Sequence, residues 1–180
     1  MKTAAIIAEY NPFHNGHKYQ IEETKRQTGA DFIVVVMSGD FVQRGIPAMY
    51  SKTFRTRSAL LSGADLVIEM PIFGTLSAAQ DFARCGVSLF HHMGMIDVLS
   101  FGSESGNIEE LWQLADHSAL ETNEQSALIR EGLRSGLTYP QALTLAKKET
   151  VPASPNDILA VEYLKAKNVG VEVILDGRTA

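Results

Sequence analysis

The chain has 180 residues and a formal net charge of −5, with 45% hydrophobic and 21% charged residues. That length supports one α/β domain with a substantial core, not two full domains, and the composition excludes a disordered polymer. A lone cysteine, Cys85, excludes an internal disulfide and a cysteine-based zinc site, while the acidic balance does not advertise nucleic-acid binding.

Residues 3–10 (TAAIIAEY) read as a strand buried on both faces, too short in apolar length for a secretory signal. A helix over 15–28 follows, with Gly29 as its C-terminal cap. The run 31–39 (DFIVVVMSG) is a second buried strand, and Ser51 caps a helix over 52–62 that stops at Gly63. A third strand, 65–71, leads to a helix over 76–93 ending before Gly94, and a fourth strand covers 96–102. From Asn107 the pattern turns helical, through NIEELWQLADH, NEQSALIREGLRSG, YPQALTLAKKE and SPNDILAVEYLKAKN, with Ser154 or Asn156 as a cap. Residues 107–150 read as a helical insertion packed against the sheet, and 171–175 as a last strand. This alternation predicts a parallel sheet with right-handed crossovers and helices on both faces, binding its ligand beyond the carboxyl ends of the strands. No apolar run approaches the roughly 20 residues of a membrane span, so a cytoplasmic protein is the expectation. The apolar neighbours of Cys85 predict a buried, inert thiol.

The chemistry gathers where the first strand meets the first helix, in EYNPFHNGHKYQIE (9–22). A helix N-terminus offers unpaired amides and partial positive charge to a phosphate. Gly16 permits close backbone approach, and Pro12 stiffens the turn. With a helix starting at Asn15, His14 stands at its mouth and His17 in its first turn, where both imidazoles can face one anion. Two readings stay open on the residues alone: a histidine cap beside a surface histidine, or a pair of donors to a phosphate under in-line displacement. Three-residue spacing without further ligands predicts no protein-built metal site. A second stretch, 41–63, carries Arg44, Lys52, Arg55 and Arg57 and no acid, either as a solvated basic face or as contacts to triphosphate, pyrophosphate or RNA backbone. Asp40 precedes it, orienting a basic side chain or a metal-bound water, or capping the turn.

NPFHNGH resembles the His-x-Gly-His signature of the nucleotidylyltransferase superfamily, whose members attack the α-phosphate of ATP or CTP and expel pyrophosphate. AEYNPFHNGHKYQIE, VVMSGDFVQRGIPA, KTFRTRSALLSGADLVIEMP, SAAQDFARCGVSL, FGSESGNIEEL and SPNDILAVEYLKA together resemble one family within it, the tRNA(Met) cytidine acetate ligases. The resemblance implies a Rossmann-like, doubly wound parallel sheet of the nucleotidylyltransferase (HUP) type, forming a single ATP-binding domain over 1–180. It also implies a two-step reaction. Acetate attacks the α-phosphate of ATP, and the acetyl group then passes to the wobble cytidine of elongator tRNA(Met). The ATP segment carried over is Ile7, Ala8, Glu9, Tyr10, Asn11, Pro12, Phe13, His14, Asn15, Gly16, His17, Lys18, Tyr19 and Gln20, with His14 and His17 as the catalytic pair. Gly102, Asn156 and Arg178 join it as ATP contacts, and Mg2+ accompanies the nucleotide. The superfamily's second signature, a Ser/Thr-rich turn ending in arginine, and the family's C-terminal region are not matched within the 180 residues. Two rival readings share the loop: a small-molecule adenylyltransferase, and a nucleotide-binding fold without turnover.

Overall fold

In the computed structural model, residues 1–43, 45–118, 123–137, 141–142, 145–146, 154–167 and 172–176 are described. Chain order is β1 (Thr3–Ala8), α1 (Asn15–Thr28), β2 (Phe32–Ser38), α2 (Lys52–Leu61), β3 (Leu66–Met70), α3 (Ile72–Thr75), α4 (Ala79–Met93) and β4 (Val98–Gly102). Then come α5 (Ile108–Ser118), α6 (Asn123–Arg134), α7 (Pro155–Ala166) and β5 (Glu172–Asp176). Among the described residues the sheet runs β3-β2-β1-β4-β5, and every pairing is parallel. The fold is therefore the doubly wound α/β sheet expected.

The period-2 alternation of β1 divides the core. Ala4 and Ile6 face a cluster with Ile33 and Val35 of β2, Ile21 of α1 and Ala59 of α2. Ala5 and Ile7 face the opposite cluster, with Phe82 and Phe90 of α4, Leu111 of α5 and Tyr163 and Leu164 of α7. Helix α4 lies so close to β1 that a Cβ on Gly86 would meet Ile7 Cδ1 at 2.5 Å, so only glycine fits there without a shift.

Several expected boundaries move. β1 stops at Ala8, because Tyr10 takes φ 50°, a left-handed conformation outside strand geometry. The helix expected over 76–93 starts at Ala79. Ala78 is extended, Ser77 Oγ donates to the Gly74 carbonyl at 2.7 Å, and the short α3 fills part of the gap. β3 is an edge strand with Leu66 exposed, whereas burial on both faces was expected. Helix α5 packs on α7 and joins the sheet's core, but Ile129 of α6 packs with Ala142 and Ala146 in a separate small cluster. Cys85 is half-buried, and burial pushes its thiol up, away from the reactive thiolate. Among the described residues, no helix is long and apolar enough to cross a membrane.

Candidate nucleotide site at the β1–β4 switch point

Winding proceeds outward from β1 to β2 and β3, then returns to β4 on the other side of β1. The loops leaving β1 and β4 therefore part, and the crevice between them is the topological switch point. A cavity of about 640 Å³ opens there, walled by residues of the β1–α1 loop, the β4–α5 loop and α7.

The two histidines are both cap and wall. His14 is the N-cap of α1, with its Nδ1 accepting the Gly16 N–H at 3.1 Å, while His17 Nδ1 accepts the His14 N–H at 3.3 Å. This is a capping box built from imidazoles, satisfying two amides that a helix start leaves open. The rings stack with centroids 3.7 Å apart, and both line the cavity. A main-chain N–H aimed at Nδ1 assigns the tautomer, placing the proton of each neutral ring on Nε2. The same two residues thus serve the cap through Nδ1 and stand on the cavity wall.

Of the carried-over segment, Ile7, Ala8, Glu9, Tyr10, Asn11 and Pro12 line the cavity, as does Gln20. Five others do not reach its wall. Phe13 packs against Tyr10 and His17, with centroids 4.8 and 5.6 Å away. Gly16 contributes its amide to the cap, Lys18 pairs with Glu22 at 3.7 Å, and Asn15 and Tyr19 are exposed. Gln20 is 94% buried at the wall.

Gly102 ends β4 at the cavity, and Asn156 lines it from the first turn of α7. Asn156 Nδ2 donates to Glu104 Oε1 at 3.0 Å. The adjacent Asp157 locks this corner. Its buried carboxylate accepts from the Ser103 hydroxyl, from the Glu104 amide at 3.1 Å and from the Ser105 amide at 3.2 Å. Burial pushes this carboxyl up, but the hydrogen bonds from Ser103, Ser154 and the two amides outweigh it, and the net shift is downward. Sequence reasoning passed over Asp157, and also Gln43, Phe82, Phe101, Ser103, Leu159 and Tyr163 of the wall. Burial raises the Tyr163 phenol far above its ordinary value, helped by the charge of Glu9, so it stays a neutral donor.

The basic stretch behaves differently from the expectation of ligand contacts. Arg55 is fully buried with its guanidinium spent on main-chain carbonyls, which removes it from any phosphate. Lys52 Nζ lies 2.9 Å from Glu69 Oε2 and 3.5 Å from Asp40 Oδ2, so Asp40 orients a basic side chain. The hydrogen bond to Glu69, more than the nearby Asp40, raises the Lys52 ammonium against its desolvation. Arg57 is exposed on α2 and off the cavity wall, and Arg44 and Arg178 lie outside the described residues. Among the described residues no group of three or more His, Cys, Asp or Glu is placed to hold a metal ion.

A family model described as HIGH Nucleotidyl Transferase matches residues 1–174. The chain belongs to that family. Among curated relatives of this chain, the tRNA(Met) cytidine acetate ligase of Acetivibrio thermocellus is 44% identical over 175 residues, covering 92% of this chain. The enzyme of the same name from Staphylococcus aureus strain MRSA252 is 46% identical over 167 residues, with the same coverage. The chain spans 42% and 43% of those two relatives' own lengths. Among solved structures, Thermotoga maritima TmcAL bound with alpha-thio ATP superposes with a TM-score of 0.84 at 33% identity. That match covers 97% of this chain and 46% of the other. The apo form of the same protein gives a TM-score of 0.85. The sheet is thereby placed among HUP-type nucleotidyltransferase folds.

Proposed function

We propose that this chain carries the ATP-binding, adenylate-forming site of a tRNA(Met) cytidine acetate ligase. The observation that carries the reading is the His14–His17 pair, capping α1 with Nδ1 and facing the switch-point cavity. Support comes from relatives that bear the ligase name over 92% of this chain, and from the TmcAL structure bound with alpha-thio ATP.

In this reading the α-phosphate lies at the α1 N-terminus, against the two imidazoles and the helix dipole. An acetate oxygen forms a bond to that phosphorus, the bond to the β-phosphate bridge breaks, and pyrophosphate leaves with the electron pair. The Nε2–H groups of His14 and His17 meet the charge that builds on the α-phosphate oxygens. Gly102 gives the ribose or base room against the backbone, and Asn11, Gln20 and Asn156 supply polar contacts. Acyl transfer to the exocyclic amine of the wobble cytidine of elongator tRNA(Met), releasing AMP, completes the reaction.

Electrostatics bears on the form of the nucleotide. Glu9 and Glu104 share the cavity wall, while no lysine or arginine does among the described residues. A bare triphosphate would meet two carboxylates, so ATP arrives with Mg2+ in this reading, the cation held chiefly by the phosphates.

The test is pyrophosphate exchange into ATP with acetate, in wild type, His14→Ala and His17→Ala, with ATP affinity measured by calorimetry. Exchange in the wild type that falls by about 10²-fold or more in each variant is expected from losing a transition-state donor. Equal exchange in all three removes the histidines from the chemistry.

A further inference from the structure

We propose that Arg55 is a positioning residue for this site, its buried guanidinium fixing the backbone turn that delivers Asn11, His14 and His17 to the cavity. The proposal rests on the reading of the cavity as a nucleotide site. Arg55 does not itself line the cavity, so it acts through the chain segments it ties, the wall residue Glu9 among them.

Those ties converge from three directions. Nη1 donates to the Glu9 carbonyl at 2.6 Å and to the Ser38 carbonyl at 3.1 Å, Nη2 donates to the Gly39 carbonyl, and Nε donates to the Tyr50 carbonyl at 3.0 Å. One planar fork thus joins the exits of β1 and β2 to the N-terminal approach of α2. A lysine has three donors around a single point and cannot span them. Among the described residues no carboxylate bonds this guanidinium. Burial pulls its pKa down, only partly offset by the charges of Asp40, Glu9 and Glu69. A fully buried cation bonded chiefly to main-chain carbonyls is an expensive device for stability alone.

The Glu9 carbonyl shows what the device accomplishes. β1 has ended at Ala8, and the following residue, Tyr10, sits at φ 50°, a conformation an aromatic side chain resists. Arg55 receives that outlying carbonyl and holds the chain in the turn. The Tyr10 ring stands 4.8 Å from both Phe13 and His17, so its placement passes directly to the catalytic helix start. The same turn is gripped from its other side. Glu9 Oε1 accepts the Gln43 N–H at 2.5 Å, and Asn11 Oδ1 accepts the Met49 N–H at 2.6 Å. The segment carrying those two amides is itself anchored by Arg55 at both ends, through Gly39 and Tyr50.

The test compares wild type, Arg55→Lys and Arg55→Met by imidazole 15N spectra, calorimetric titration with alpha-thio ATP, and thermal unfolding. His91 and His92, at the far end of α4, serve as internal references. In the wild type, His14 and His17 show the Nε2–H pattern. In a folded Arg55→Lys chain, those two signals alone change, and affinity for alpha-thio ATP falls about tenfold or more. Loss of thermal stability alone, with wild-type His14 and His17 signals and wild-type affinity, overturns the proposal. Should neither variant fold, the wild type still decides. Its Arg55 Nη–H signals shift on saturation with alpha-thio ATP, and unshifted signals overturn the coupling. A wild-type chain that binds no nucleotide refutes the nucleotide reading instead, while the histidine spectra still judge Arg55.

Discussion

Replacing Asp157 by asparagine probes the joint between the β4 loop and α7. The carboxylate is 94% buried and receives the Ser103 hydroxyl and the amides of Glu104 and Ser105. Asparagine has the same shape but one acceptor oxygen, and it must turn an NH2 group toward one of those donors. A hydrogen bond to a charged group contributes about 1.5–3 kcal/mol and a neutral one about 1 kcal/mol. Losing one charged bond outright and weakening the others predicts a destabilisation of about 2–4 kcal/mol at neutral pH. The pH dependence follows from the downward pKa shift. The stabilisation is complete above the ordinary aspartate value of about 3.9 and is lost as pH falls through the lower folded value. Urea unfolding of both proteins from pH 7 down to the acid limit of folding should therefore show a gap that narrows below about pH 4. A gap independent of pH, or one under about 0.5 kcal/mol at neutral pH, would refute the assigned role of the carboxylate.

Other expectations concern the cap, the close contact, the thiol and the cation. His14→Ala removes the acceptor for the Gly16 amide and should cost about 0.5–2 kcal/mol in chemical denaturation, whereas His14→Asn should recover most of that stability without restoring pyrophosphate exchange. Gly86→Ala drives a methyl into Ile7 on β1 and should cost about 1–3 kcal/mol, read as a lower urea midpoint. Cys85, its thiol raised by burial, should react with a thiol reagent in the native state much more slowly than after unfolding; equal rates would contradict the packing. Chelating Mg2+ should weaken ATP binding several-fold, because Glu9 and Glu104 then face the bare phosphates, and unchanged affinity would argue against their place on the wall.

Local signals were the most legible in the sequence. α1 begins and ends where Asn15 and Gly29 put it, and Ser51 caps α2 by accepting the Phe54 amide, because caps are decided by residues a few positions apart. The overruns occur where a conformation depends on distant partners. Nothing in TAAIIAEY announces that Tyr10 turns to φ 50°, since the turn is held by Arg55, 45 positions later. Arg55 itself read as one charge in a basic stretch. Its spacing of four from Ala59, with both on the buried face of α2, was the available clue. The placing of the His-x-x-His loop at a helix start was readable because the cap is local. The far wall was not. Phe82, Phe101 and Tyr163 carry the same apolar pattern as the core around them, and only packing decides which aromatic edge meets the cavity. Asp157 was visible as a first-turn acid after Ser154, but its bonds to residues 103–105 arise from the closure of a long chain segment.

The division of the cavity wall among residues 7–20, Gln43, Phe82, 101–104 and 156–163 also bears on how the protein comes into being. These pieces are far apart along the chain, and β1 meets β4 only after β2 and β3 have been made and threaded past it. Such distant pairings close late, because chain entropy must be spent before they return anything. Nucleotide affinity therefore reports completion. A nascent or partly folded chain can hold the α1 cap and two paired strands and still have no cavity. A ligand that binds only the finished arrangement pulls the folding equilibrium toward it, by about 2.7 kcal/mol at a concentration 100 times its dissociation constant. For a site of this construction, a bound nucleotide would favour the folded chain as well as fill its cavity.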